Sequence, residues 1–510
     1  MPKPSILHAE RGHLILVLIL ILFLGWSISW YMQHNDVWGI LYYAQKMTFE
    51  DLSSLYNKFY PIGYALILKS APLHKIELSC HIVNALFVTI IISQISRILS
   101  PALTGRWAVI LAAFSYFLLP LNFKYAVTPS PDAPAAAFVA LAAALMFKWD
   151  FFDDDKGRFW RAGATGMAFG GATLFRYHTQ SIFVITLLYF LLTKRRRSGT
   201  IIAPMVVGFL IATLPQSIIS LLAGHLPFQS DFKIMVYRVI HGLNFLDHPS
   251  EMRLSLFQIM MSDLGKTVIV WLKGIPGIAI YAVPAILLRT LAKDARYVRY
   301  GTFSAFVIAL YAVPTALGGS ERSPLAISVF CAVPLGVLSL WFRQHYKGNM
   351  LSAMPVVTGA VMLLLMSLTL LIDVNRMRSL HLGFRLSGEV FDYLSESAGA
   401  NVLRESFTDD LFLYYPGHPP YNPRSPGGWA AYGLRGYENE FPRIPLDSYT
   451  IFREEALKQG IQYLILSPLS RAFTKFFFEL YVTGMISSHT GKRPIFMRQI
   501  GPYKIFSLNP

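Results

Sequence analysis

Apolar stretches close to the length of a bilayer recur along this chain as far as residue 372. A helix rising about 1.5 Å per residue needs roughly 20 apolar residues to cross the hydrocarbon core, and about eleven segments fit that description. They are Leu14–Tyr31, Ile76–Ile98, Trp107–Phe123, Ala133–Trp149, Ala162–Gln180, Ser181–Leu192, Ile201–Leu222, Thr267–Leu288, Tyr300–Leu317, Pro324–Trp341 and Leu351–Ile372. Lipid offers no partner to backbone N–H and C=O groups, so such a pattern folds as a bundle of spanning helices. Charge content agrees. Only 15% of the 510 residues are charged and 54% are hydrophobic, against about 25% charged in a soluble domain. The expected fold class is a polytopic α-helical membrane protein.

The tight pair Ala162–Gln180 and Ser181–Leu192 needs a turn near Arg176-Tyr177-His178. Tyr60–Ala71 is too short to span and fits a helix at the surface or re-entering it. The first anchor is longer than a signal-peptide core and is not followed by a small-residue cleavage site, so it reads as retained.

Loop cations set the orientation. With Lys3 and Arg11 cytoplasmic, the cytoplasmic loops carry Arg97 and Arg106, then Lys148, Lys156, Arg158 and Arg161, then Lys194-Arg195-Arg196-Arg197. Later ones carry Arg289, Lys293, Arg296 and Arg299, then Arg343 and Lys347. This alternation puts Asp36, Asp132, Arg176, Glu321 and the long Gly224–Lys266 loop on the opposite side. It also accounts for the net charge of +16, which in a soluble protein would raise nucleic acid as a partner; none is expected here. Cys80 and Cys331 both lie inside apolar runs, so no disulfide framework is expected.

The chain changes character after residue 372. Residues 1–372 read as the membrane domain, with a first outer loop over 34–75 and the long outer loop over 224–266. Residues 373–510 read as a small non-cytoplasmic α/β domain. Its expected elements are helices at Leu386–Ser397, Ser448–Gln459 (with a serine cap) and Leu469–Thr483, and strands at Asn401–Arg404, Ile461–Leu466 and Tyr503–Leu508. Between them Tyr415–Pro445, rich in Pro, Gly and Tyr, reads as a long functional loop.

Several residues invite chemistry. Asp36 follows the first anchor, with Trp38, Tyr42 and Tyr43 beside it. It either ends a hydrophobic run or acts as a general base, since a well-placed carboxylate takes a proton as a bond forms. Asp132, in Thr128-Pro129-Ser130-Pro131-Asp132, either caps the following helix or serves as a second acid or part of a metal site with Asp36. Arg176 and Glu321-Arg322 either snorkel to headgroups or act at membrane depth, where ionisable groups usually have a function. A guanidinium fork suits phosphate, and with Lys58 these arginines would bind an anionic headgroup. Phosphate-loop, dinucleotide and His-Glu-x-x-His motifs are absent. His225, His241 and His248 lack ligand spacing and read as loop histidines.

The order of these residues resembles the GT-C superfamily of lipid-donor membrane glycosyltransferases. Asp36 with Tyr42-Tyr43-Ala44, then Tyr60-Pro61-Ile62-Gly63-Tyr64, Asp132, Phe175-Arg176-Tyr177-His178 and Glu321-Arg322 are similar to successive motifs of that superfamily, in order. The nearest branch is the protein mannosyltransferase and aminoarabinose transferase type. Ser323 departs from the tyrosine common in the last motif, and prolines rather than a Glu-bearing segment precede the second acid. The resemblance implies a GT-C-like fold and an inverting transfer from a polyprenyl-phosphate sugar to a lipid, glycan or protein acceptor at the non-cytoplasmic face. Asp36 and Asp132 would be catalytic. Arg176, Arg322 and Lys58 would bind donor phosphate, and Tyr42, Tyr43, Tyr60, His178 and Glu321 would bind substrate. No nucleotide or ATP is needed, and a divalent cation on Asp36 and Asp132 stays open. The short loops point to a bacterial inner membrane, with site and tail in the periplasm.

Two other classes share this build. A transporter or lipid flippase often shows paired repeats and helices broken at the midplane, whereas here no repeat is visible and the polar residues cluster at one face. A glycan polymerase or ligase would carry arginines in a large outer loop, and Arg238 and Arg253 do lie in Gly224–Lys266. A non-catalytic scaffold of the same build is the remaining alternative.

Overall fold

A computed structural model of the chain describes residues 15–22, 24–25, 40, 43–44, 47–57, 60–71, 76–103, 105–119, 122–127, 129–151, 159–193, 198–227, 236–237, 239–240, 255–318, 323–345, 364, 368, 371, 393, 402–404, 429–431, 448–458, 463–466, 475–484, 494–501 and 503–508. The chain divides into two compact units. Met1–Trp30 with Lys46–Asn375 form the first, and Tyr31–Gln45 with Arg376–Pro510 form the second.

From residue 62 onward the first unit is helical. Its described helices are α1 Ile62–Ser70, α2 Ile76–Leu99, α3 Gly105–Phe117, α4 Asn122–Val127, α5 Asp132–Lys148, α6 Phe159–Thr173, α7 Thr179–Thr193 and α8 Ser198–Leu222. They continue with α9 Leu256–Ser262, α10 Leu264–Ala279, α11 Val283–Leu291, α12 Ala295–Gly318 and α13 Ser328–His345. Among the described residues, Leu78–Leu99, Gly199–Leu222, Ala295–Leu317 and Pro324–Trp341 are long and apolar enough to cross a membrane.

Helix α8 is built inside out relative to a soluble helix. Val207, Leu210, Ile211, Leu214, Ile218 and Leu221 are exposed, while Thr213, Gln216 and Ser220 are buried. Apolar side chains therefore face lipid and polar ones the bundle interior. Thr213 and Ser220 satisfy their hydroxyls within the helix, donating to the carbonyls of Phe209 and Gln216. That is a low-cost way to keep hydroxyls in a membrane protein. Pro204 and Pro215 sit inside α8 without ending it, as spanning helices allow.

Contacts fix both ends of the bundle. At one end the tips of α2, α5 and α12 meet: Tyr297 Oη donates to the Ile98 carbonyl at 2.9 Å, Arg299 pairs with Asp150 at 2.9 Å, and Phe147 packs on Tyr297 and Tyr300. The other end carries the start of α5, the α6–α7 turn, α1 and the C-terminal part of α8.

Two expected spans differ in shape. Trp107–Phe123 is interrupted: α3 ends at Phe117 and the short α4 starts at Asn122. Pro120 between them explains the break, since a proline disfavours helical backbone at the residue before it, and Asn122 Nδ2 donates to the Tyr116 carbonyl across the gap. Thr267–Leu288 is two helices, α10 and α11, joined by a 3-10 turn over Ile280–Ala282. All of Leu14–Tyr31 beyond residue 25 and most of Leu351–Ile372 lie outside the described residues.

Among the described residues the second unit contains five strands in one sheet, in the order β2-β1-β3-β5-β4: β1 Val402–Arg404, β2 Trp429–Ala431, β3 Tyr463–Leu466, β4 Ile495–Ile500 and β5 Tyr503–Ser507. Strand β1 pairs in parallel with β2 and β3; β5 is antiparallel to β3 and to β4. Alternation along the strands gives two faces. Leu464, Leu466 and Phe506 pack with Tyr449, Phe452 and Ala456 of α14 (Tyr449–Lys458) and Leu480 of α15 (Lys475–Thr483). Ile465, Ile500, Tyr503 and Ile505 form the core of the other face. Ser448 caps α14 as expected, its Oγ accepting from Ile451 N at 3.3 Å. The expected loop Tyr415–Pro445 contains a strand, β2, and β4 was not expected at all. Most of Leu386–Ser397 lies outside the described residues.

Helices α6 and α8 approach closely over glycines. A Cβ on Gly166 would overlap the backbone of Met205, and one on Gly208 would overlap the backbone of Gly163. Gly166→Val should lower the melting temperature of the purified protein, at a cost of about 1–3 kcal/mol for overpacking. Gly199→Ala, where a Cβ would meet nothing within 4 Å, should leave it unchanged. Equal melting temperatures for Gly166→Val and the parent would refute this packing.

Candidate active site

The site begins with the first residue of α5. Pro131 precedes the helix, and no side chain caps it. Asp132 is therefore not an N-cap; its own N–H donates to the Ser130 hydroxyl oxygen at 3.3 Å. That frees the carboxylate to point across to the α6–α7 turn. Arg176 meets it with a two-pronged fork, Nε to Oδ1 at 2.8 Å and Nη2 to Oδ2 at 2.9 Å. Asp132 is 3% exposed and Arg176 13%. A buried carboxylate is tolerable only with such a partner, and removing one member of the pair leaves an uncompensated charge. Asp132 opens α5 and Arg176 lies in the α6–α7 turn, yet one side chain seats the other in a fixed plane.

The turn that presents Arg176 is itself held on every side. Phe175 stacks on Phe138 of α5 at 5.7 Å and meets Phe87 of α2 edge-on at 5.8 Å. Thr179 Oγ1 donates to the Arg176 carbonyl at 2.8 Å. Tyr177 Oη donates to the Asn57 carbonyl at 3.2 Å. Gly63 N donates to the Leu174 carbonyl at 2.8 Å, and a Cβ at Gly63 would come within 2.6 Å of that oxygen. Only glycine lets α1 come this close to the turn.

Helix α1 is tied down at its start. Ile62 N donates to Gln216 Oε1 of α8 at 2.9 Å, so a side-chain amide from a spanning helix takes one of the free N–H groups of the first turn. Tyr60 is buried, and its N–H donates to Asn57 Oδ1 at 3.0 Å. Tyr64 is wholly buried, and its hydroxyl has no described hydrogen-bond partner in good geometry. Burial pushes its phenol well above the ordinary range, the Cys80 thiol and Asp132 push the same way, and Arg176 opposes them. Tyr64 thus stays neutral beside the ion pair.

Asp132, Arg176, Tyr60 and the turn containing His178 are thus gathered at one end of the helical unit. Tyr43 is buried in the second unit. Asp36, Tyr42, Lys58, Glu321, Arg322, His241 and His248 lie outside the described residues. His225 stacks on Tyr56 at 4.3 Å, and no group of three or more metal-ligating side chains occurs among the described residues. Asn57, Tyr64, Ser130 and Gln216 were not singled out from the sequence. Gln216 did carry a signal, as a lone amide in an apolar run, where side-chain amides bond across helices. Asn57 carried none, since its role is to fold its own loop.

The fold is that of the GT-C membrane enzymes. Residues 61–219, which hold Asp132, Arg176, Tyr64 and Gln216, match the profile of the dolichyl-phosphate-mannose-protein mannosyltransferase family. The structure is similar to ArnT from Cupriavidus metallidurans bound to undecaprenyl phosphate, with a TM-score of 0.50, 11% identity and 98% of both chains covered. The same enzyme in the apo state gives a TM-score of 0.50 and 14% identity over 98% of both chains. An oligosaccharyltransferase of Archaeoglobus fulgidus in complex with Zn and sulfate gives a TM-score of 0.50 and 11% identity, covering 91% of this chain and 69% of that one. At these identities the likeness is one of fold. No curated protein matches the sequence.

Breaking the fork should be costly. Asp132→Asn and Arg176→Gln should each lower stability by about 3–5 kcal/mol, read as a drop in melting temperature in detergent. The double variant should lose less than the sum of the two, because the second change removes the stranded charge. Additive losses would mean the pair does not act as a unit.

Proposed function

We propose that the chain is an inverting glycosyltransferase that moves a sugar from a polyprenyl-phosphate donor to a lipid, glycan or protein acceptor at the non-cytoplasmic face of a bacterial inner membrane. The observation that carries this reading is the Asp132–Arg176 fork, which lies within the segment matching the mannosyltransferase profile. The undecaprenyl phosphate bound by ArnT in its crystal structure suggests the chemistry of the donor.

In this reading Asp36 accepts the proton of an acceptor hydroxyl. The hydroxyl oxygen attacks the anomeric carbon from the face opposite the leaving group, the bond from that carbon to the phosphate oxygen breaks, and its electron pair departs with polyprenyl phosphate. Negative charge grows on that oxygen in the transition state, where fixed cations stabilise it most. Arg176, Arg322 and Lys58 are the cations assigned to this task, and Tyr42, Tyr43, Tyr60, His178 and Glu321 the residues assigned to the substrates.

The geometry favours a positioning role for Asp132. Both its oxygens are engaged by Arg176, so it fixes a guanidinium rather than standing ready to take a proton, and no step requires it to hold a cation. Orientation is supported by charge: Arg97 and Arg289 lie in the last turns of α2 and α11, and Arg296 and Arg299 in the first turns of α12. Those ends lie opposite the site, as cytoplasmic ends would.

The test is single-sugar transfer by purified protein supplied with a polyprenyl-phosphate sugar and lipid or glycan acceptors. Release of polyprenyl phosphate matched by glycosylated acceptor is expected. Asp36→Asn should lower kcat by roughly 10²–10⁴-fold, the usual worth of a general base, with the parent's melting temperature retained. Full activity in that variant would remove the assigned base. Lipid movement without sugar transfer, or polymeric product, would replace the proposal with a flippase or a polymerase.

A further inference from the structure

Among the described residues, strand β4 is the last strand at its side of the sheet of the second unit. Ordinary strands hide alternate residues, but here three consecutive apolar side chains are out: Ile495 is 46% exposed, Phe496 49% and Met497 43%. Consecutive residues point to opposite faces, so this edge shows apolar surface on both. Phe496 keeps one side of its ring against the buried Phe506, 5.6 Å between centroids, which holds the patch in place.

Two features make the edge a poor template for another strand. Pro494, directly before it, has no N–H to donate. The register slips at Met497, where Phe496 faces Phe506 but Arg498 faces Ile505. A bulge of this kind twists an edge away from edge-to-edge pairing. The charges point elsewhere. Arg498 is exposed, with its guanidinium 4.8 Å from the centre of the Tyr393 ring, and in sequence Lys492 and Arg493 come immediately before Pro494. Apolar residues flanked by cations are what binds an anionic lipid surface. The same chain carries helices long enough to cross a membrane, so a bilayer is always at hand.

We propose that Ile495, Phe496, Met497 and Arg498 form a docking surface for anionic lipid headgroups, with the three apolar side chains entering the interfacial layer and Arg498 pairing with phosphates. The surface is independent of the transferase reading and stands or falls separately from it.

The test uses the full chain in lipid nanodiscs. Met497→Cys, with Cys80 and Cys331 changed to serine, carries an environment-sensitive fluorophore. Discs containing phosphatidylglycerol should shift its emission to the blue, and nitroxides on the lipid tails should quench it strongly while aqueous iodide does so weakly. Arg498→Gln should reduce the lipid quenching severalfold, as should discs of phosphatidylcholine alone. If labelling lowers the melting temperature, Ile495→Cys takes its place. Strong iodide quenching with no lipid quenching would overturn the proposal. So would disulfide cross-links between residues 497 of two chains, which would make the edge a contact between copies, or protection that appears only when an acceptor peptide is added.

Discussion

Putting a carboxylate and a guanidinium together out of water sets a condition that the neighbouring structure has to meet. Each ion loses hydration worth several kcal/mol, and the pair recovers it only in good geometry with few alternatives. Asp132 and Arg176 meet this by a planar fork with both contacts under 3 Å. The start of α5 and the α6–α7 turn can then move neither apart nor sideways without stranding a charge. Phe175 on Phe138, next to the fork, makes the same restriction with dispersion forces. Through Leu174 and Gln216 the restriction passes to α1, whose first two N–H groups are taken by that turn and by α8. Four segments separated in sequence are thus held by one charge pair and a few directed bonds.

That arrangement needs a rigid bundle behind it, and lipid supplies no hydrophobic force between helices to make one. Close approach does so instead. Gly163, Gly166 and Gly208 let α6 and α8 touch backbone to backbone, which maximises dispersion contact where transfer free energy gives nothing. The polar residues of α8 turn inward, where they bond within the helix or, as Gln216 does, to α1. The opposite end is pinned separately by Tyr297 on Ile98 and Arg299 on Asp150. With both ends fixed, the α5 axis is defined and Asp132 with it.

Much of this was legible because membrane helices write themselves in long apolar runs and loop cations. The turn at Arg176-Tyr177-His178 could be read from the lack of room between two spans. Asp132 and Arg176 were both visible as isolated charges, but their pairing was not, since they are 44 residues apart and each had a local explanation, capping or snorkelling. The capping explanation failed because Pro131 already occupies the cap and the fork needs the carboxylate. Strand β2 was hidden by composition: Trp429–Ala431 sits among glycines and prolines, and three residues of a parallel strand carry no alternation to count. Strand β4 was hidden for a related reason, because its exposed apolar run breaks the period on which a strand is recognised.

Gln216 shows what a sequence reading can and cannot extract from a single residue. Its amide in an apolar helix signals a bond across helices, but not to what. The oxygen takes Ile62 N–H, while the Nε2 group, equally buried, has no partner among the described residues. Glutamate at this position would keep the acceptor but bury a negative charge, and leucine would strand the Ile62 N–H. The amide gives α1 an acceptor without adding charge. The helix that follows Tyr60-Pro61 can therefore start among buried residues.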